Sequence, residues 1–282
     1  MTENASLLDR IEELVDSGKL ELPVFNKAAA KLQEWSTSDH VTTEDVEQLI
    51  LSDQVLVVEV LRAANSPFFG GLSQIHTIRT AIVRLGLRQV AHLALMASHR
   101  TTYQAKDENL HSKLRLLWTH ASATALAAGW LAERLGFGED IESEAFVGGL
   151  LHDVGKLVVL RAIDEIKGKK DNLRDLSAPL IDEILETAHS KVGYRFLRQW
   201  DIPEVYCEVA RDHHEPEFDP TKIPLVCIRL ANSAASKMAL SIHANPSLIL
   251  SALPEAKCLN ASDILLAELE ITMEDSLSPV VS

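Results

Sequence analysis

Apolar side chains recur at spacings of three and four along most of the chain, while runs of alternating β-branched residues are scarce. This pattern predicts an all-α protein. In the first half it predicts helices over 4–17, 23–36, 42–52, 54–65, 75–85 and 87–103, separated by stops such as Ser66-Pro67 and Gly70-Gly71. A polar stretch from Tyr103 to Ser112 precedes a long helical segment over 113–135, which ends at Gly136, where a left-handed cap belongs, with Gly138 just beyond. Further helices are predicted over 141–161, 178–200, 203–214, 223–242 and 262–272. The division that follows is an N-terminal helical half over 1–108, a helical bundle over 109–272 and a disordered tail over 273–282.

Composition narrows the function. The 282 residues carry 27 Lys and Arg against 41 Asp and Glu, a formal net charge of −14. Such a surface repels phosphate backbones and argues against nucleic-acid binding. The three cysteines, Cys207, Cys227 and Cys258, show no paired spacing, so neither a disulfide framework nor a zinc ribbon is suggested. The N-terminal residues lack a basic region followed by an apolar run, and no uncharged apolar stretch reaches the length of a membrane span. A reducing cytoplasm is the expected location.

The candidate chemistry lies around residue 150. On a helical wheel, Val147, Leu150, Leu151, Val154, Leu157 and Val158 share one broad face, whereas Gly149, His152, Asp153 and Lys156 gather on a narrower stripe. The stripe reads either as a solvated face or as a place where another group approaches closely. His120 lies opposite the polar residues of its own helix, so it is expected inside, where an imidazole needs a hydrogen-bond partner or a ligand. His189 borders the apolar stripe of Ile181, Ile184, Leu185, Ala188 and Val192. His213 and His214 close a helix just before Pro216, which is also consistent with plain capping. Jointly, five histidines and Asp153 form a ligand mix suited to iron, manganese, zinc or nickel.

At these residues the sequence resembles the HD superfamily of metal-dependent phosphohydrolases. The run GGLLHDVGKLVVL, residues 148–160, is similar to its central motif, which implies His152 and Asp153 as adjacent metal ligands. The segments LPVFNKAAAKL (22–32), LSDQVLVVEVLRAANSPFFGG (51–71) and TIRTAIVRLGLRQVAHLAL (77–95), followed by ETAHSKVGYRFLRQWDIPE and HHEP, resemble the HDOD domain, an HD-related output domain of bacterial signalling proteins. The resemblance spans roughly residues 20 to 240. It implies an N-terminal helical half packed on an HD-like bundle. It also implies that His120, His152, Asp153 and His189 hold one ion, with His213 and His214 extending the site toward a second. The superfamily's closing aspartate is replaced by Asn232, whose amide oxygen neutralises no charge. Residues after HHEP lack a Gly-Tyr-Pro element, so cyclic di-GMP is not the implied substrate.

Two functions follow from this resemblance. One is a regulatory module with a modified metal site, acting on a protein partner or through a nucleotide or phosphate ligand; because no receiver, kinase or DNA-binding motif is present, input and output come from partners or a homodimer. The other is a phosphohydrolase in which Asp153 serves the metal and Lys156 stabilises charge on phosphoryl oxygens. DNA binding through Arg79, Arg84 and Arg88 is the weakest alternative, and 167–170 (KGKK) reads as a solvated loop. Asn65 and Ser66 are expected to satisfy carbonyls at a helix end, and Phe68 and Phe69 to anchor packing.

Overall fold

The computed structural model describes residues 7–17, 20, 31, 41–52, 54–65, 74–100, 103–105, 107–169 and 176–281. Among them the regular elements are all helical. In chain order these are α1 (Leu7–Asp16), α2 (Thr43–Leu51), α3 (Gln54–Ala64), α4 (Ile78–Leu85), α5 (Leu87–Arg100), α6 (Glu108–Arg134) and α7 (Glu139–Leu151). They continue with α8 (Val154–Lys169), α9 (Ala178–Gln199), α10 (Glu204–Asp212), α11 (Ile223–Lys237), a 3₁₀ turn (Leu250–Ala252), α12 (Pro254–Cys258) and α13 (Asp263–Val281). The expected helix over 23–36, except for residue 31, the stops at 66–71 and Phe68 and Phe69 lie outside the described residues.

The helices form two compact units, one of Met1–Leu22 with Tyr103–Asp263 and one of Pro23–Thr102 with Ile264–Ser282. These units differ in make-up from the halves drawn at 108 in the sequence, because residues 1–22 group with 103–263 and residues 264–282 with 23–102. The polar stretch is tied into the first unit. Tyr103 is buried, Arg161 Nη1 donates to the Gln104 carbonyl (2.7 Å), and Lys167 pairs with Asp107 (2.6 Å). Asp107 also starts α6 by accepting from the backbone N–H of Asn109 and Leu110, five residues before the helix expected from pattern alone. Helix α1 joins the same unit through pairs from Lys191 and Arg195 to Glu12. Where a frayed tail is expected over 273–282, α13 continues to Val281, and Leu265, Leu266, Leu269 and Met273 form its buried stripe.

In the other unit, Val46, Ile50, Val60, Ile78, Ile82 and Val90 share one core. A capping box between Thr42 and Asp45 opens α2. Asn65 Nδ2 donates to the carbonyls of Leu61 and Ile75, both at 2.8 Å, which is the helix-end role expected of it.

The larger unit is organised around α6 and the pair α7 and α8. A single helix expected over 141–161 is in fact two, broken by a turn at His152-Asp153. Every residue from Ala145 to Leu160 is buried, so the stripe read as potentially solvated faces protein instead. Backbones approach closely to achieve this. A Cβ on Gly149 would lie 2.8 Å from Ala125 Cα of α6, and one on Gly155 would lie 1.9 Å from the His189 carbonyl oxygen of α9. Left-handed residues stop the long helices: at Gly136 (φ 73°) the Phe137 N–H reaches the Ala132 carbonyl, as the sequence leads one to expect. At Ala239 (φ 59°) the Leu240 N–H reaches Ala235, so α11 ends five residues before the expected 242 and releases the segment that follows as a loop.

Candidate metal centre

Five elements deliver side chains to one point: His120 from α6, His152 and Asp153 from the α7–α8 junction, His189 from α9, and His213 and His214 from the end of α10. All but His214 are buried. Asp153 is the hub. Its Oδ2 lies 3.4 Å from His120 Nε2 and 3.5 Å from His152 Nε2, and it accepts from Lys156 Nζ at 2.9 Å. Its Oδ1 lies 3.5 Å from His189 Nε2 and 3.4 Å from His213 Nε2. His120 and His152 bring their Nε2 atoms to 3.1 Å.

Two donor groups therefore share one carboxylate: His120, His152 and Asp153, and Asp153, His189, His213 and His214. The grouping implied by the family resemblance differs, placing His189 with His120 and His152. The reason is positional, because α9 and the end of α10 both face Oδ1.

The tautomers are fixed by carbonyls, which can only accept. His152 Nδ1 donates to Gly149 (2.7 Å), His189 Nδ1 to Leu185 (2.7 Å), and His213 Nδ1 to Val209 and Ala210 (3.1 and 3.2 Å). Each ring thereby keeps its Nε2 lone pair directed into the cluster. Burial, the largest influence, holds His120 down to about 3 and His214 to about 4, and lowers His152, His189 and His213 as well, so all five are neutral near pH 7. For Asp153 burial acts in the opposite sense, but the Lys156 ammonium, the largest opposing influence, keeps the carboxyl well below its usual range.

This set fits a metal. Ligand atoms about 2.1 Å from a common ion stand about 3.0 Å apart at octahedral and about 3.4 Å apart at tetrahedral angles, close to the 3.1 Å between His120 and His152 and the 3.4–3.5 Å from the imidazoles to Asp153. Among the described residues, Asp153 Oδ1 and His213 Nε2 are buried with no hydrogen-bond partner, a costly state that coordination would relieve. Divalent transition ions match a donor set of imidazole and carboxylate, while the particular metal is left open by the chemistry.

A cavity of about 210 Å³ opens beside Asp153, His120 and His214. Asn232 and Lys156 both line it. Ser241, His243 and Asn245 from the loop after α11 form part of its wall, with His243 Nε2 3.4 Å from Glu186 Oε1 at the rim. Sequence reasoning did not find this wall.

The chain falls in a defined class of all-α helical domains. The HDOD domain family matches residues 22–216, and the chain is a member of that family. It is 26% identical over 227 residues to an uncharacterized protein of Treponema pallidum (strain Nichols), covering 79% of this chain and 42% of the relative, so it spans less than half that protein's length. A crystal structure of an HDOD domain protein of unknown function from Geobacter sulfurreducens superposes with a TM-score of 0.74 at 21% identity, covering 96% of this chain and 97% of that one. A protein described as a candidate metal-dependent phosphohydrolase from Shewanella amazonensis SB2B gives 0.72 at 17%, with the same coverage of both chains. One described as a candidate signal transduction protein from Marinobacter aquaeolei VT8 gives 0.65 at 17%, covering 99% of this chain and 66% of that one. These likenesses establish the all-α HD-like fold.

Proposed function

We propose that this chain is a bacterial HDOD-type regulatory module that holds divalent transition metal in its histidine and aspartate cluster, takes a phosphate-bearing small ligand in the adjoining cavity, and passes its state to a protein partner. The observation that carries the reading is the convergence of buried neutral imidazoles on a carboxylate whose Oδ1 has no hydrogen-bond partner among the described residues. His120, His152 and Asp153 would hold one ion, and Asp153, His189, His213 and His214 a second. A bound iron, manganese, zinc or nickel ion supplies Lewis acidity toward an oxygen of the ligand. Lys156, fixed against Asp153, places an ammonium where an anion enters.

Regulation is favoured over turnover by Asn232, which adds no negative charge where the superfamily has an aspartate. Weaker ion binding and weaker activation of bound water follow. A protein partner or a homodimer supplies the output; a nucleic acid is disfavoured by the charge of −14 and by Arg79, which pairs with Glu44 and Glu47. No helix among the described residues is long and apolar enough to cross a membrane.

The second reading is a metal-dependent phosphohydrolase, favoured by one observation: Lys156 and Asp153 line a cavity that could admit a phosphate ester. In that case Lys156 stabilises charge on the phosphoryl oxygens and Asp153 keeps the ions in place. Elemental analysis of protein purified without chelator, together with a phosphate-release screen over mononucleotides and cyclic nucleotides, separates the two. The regulatory reading predicts bound metal that disappears in His152→Ala, with no turnover. Turnover by the wild type that His152→Ala abolishes transfers the assignment to the enzyme, and absence of metal removes both.

A further inference from the structure

We infer that Arg229 and Glu255 form a buried clamp that positions the His213-His214 turn, and thereby controls occupancy of one half of the metal cluster independently of the other. The inference rests on the metal reading above and adds a positioning residue that touches none of the metal-facing nitrogens. Arg229 projects from α11 and is buried. Its Nη1 donates to three main-chain carbonyls of the turn that ends α10, those of Asp212 (3.1 Å), His213 (3.1 Å) and Glu215 (2.8 Å). Its Nε donates to Glu255 of α12 at 2.7 Å, and its guanidinium lies 4.6 Å from the centre of the Phe218 ring.

Carbonyls at a helix end lack partners within the helix. Here a single planar cation gathers them, and so fixes the peptide units that carry His213 and His214. The direction of the His213 ring depends on the same turn, because its Nδ1 donates back to Val209 and Ala210. Glu255 neutralises a charge that burial would otherwise make costly. Lysine could not substitute, since its ammonium is a point donor without the fork that reaches acceptors on two sides. His120, His152 and the Oδ2 side of Asp153 are set by α6 and the α7–α8 junction, and no hydrogen bond of Arg229 reaches them. Loss of the clamp should therefore be felt on one side of the shared carboxylate.

The test is a manganese titration of the full chain as wild type, Arg229→Lys, Arg229→Met and Glu255→Gln, with hydrogen exchange followed across 209–218. In the variants that remain helical by circular dichroism, affinity for the ion on the His189, His213 and His214 side should fall roughly 10–100-fold while the first ion is retained. Amide exchange should rise in the His213-His214 turn. Arg229→Lys and Glu255→Gln keep the test open should Arg229→Met fail to fold. Unchanged binding of both ions with unchanged exchange overturns the clamp, as does equal loss of both. A wild type that binds no manganese removes the metal reading, while exchange in the turn still reports whether the clamp orders it.

Discussion

His152, His189 and His213 are turned the same way by the same device, an Nδ1–H given to a main-chain carbonyl about one turn earlier on their own helices. Helical periodicity supplies the carbonyl, so the orientation costs no additional residue. What the periodicity does not supply is room. Gly155 lets α8 lie against α9 just where His189 sits, and the clash of a Cβ there would be with main chain, which cannot rotate away. Gly155→Ala is expected to destabilise the protein by about 3 kcal/mol or more, measured by urea unfolding. Gly136→Ala, which meets only the left-handed backbone and open space, should cost about 1–2 kcal/mol. The sequence pointed to the six cluster residues because their types and the runs around them resemble a known family. It could not show that Asp153 divides its two oxygens between two donor groups, since that depends on which helices pack beside it. Arg229 and Glu255 were likewise invisible, being 26 residues apart with no shared periodicity.

At the level of elements, the positions of the helices followed from apolar spacing, and their ends followed where a specific residue marks them. Thr42 and Asp45 illustrate the latter: the Asp45 N–H reaches Thr42 Oγ1 at 3.2 Å, and the Thr42 N–H reaches Asp45 Oδ2 at 3.0 Å. Thr42→Ala should lower stability by about 1 kcal/mol, read from the urea midpoint. The break between α7 and α8 is the instructive difference. Apolar side chains continue through residues 147–158 with helical spacing, so the pattern gives no reason to stop. The turn at His152-Asp153 instead places the carboxylate just before the first residue of α8, where the helix dipole favours negative charge. Alanines along α6, including Ala121, Ala123 and Ala127, let neighbours approach on more than one side. That burial is why a stripe that looked amphipathic holds a polar cluster inside the protein.

For the molecule as a whole, the buried imidazoles set the response to acid. His92, His120, His152, His189 and His213 are held neutral when folded, because burial pushes each below its ordinary value of 6.5, to about 3 for His92 and His120. The unfolded chain therefore takes up more protons than the folded one below about pH 6.5, and stability falls as pH drops from there toward the folded values. Each such group contributes up to about 1.4 kcal/mol per pH unit in that interval. Asp153, lowered from 3.8, adds a further loss at more acid pH. Urea unfolding between pH 7.5 and 5 should show this decline, and a flat or rising profile would contradict neutral burial. Bound metal should strengthen the same trend, since protons compete for its ligands.

The most direct measurement is anomalous diffraction from crystals of protein prepared without chelator and supplied with manganese or zinc. The account predicts peaks at two places: among His120, His152 and Asp153 Oδ2, and among Asp153 Oδ1, His189, His213 and His214. A cluster that stays empty, with His120 and His152 still bonded to each other, would contradict it.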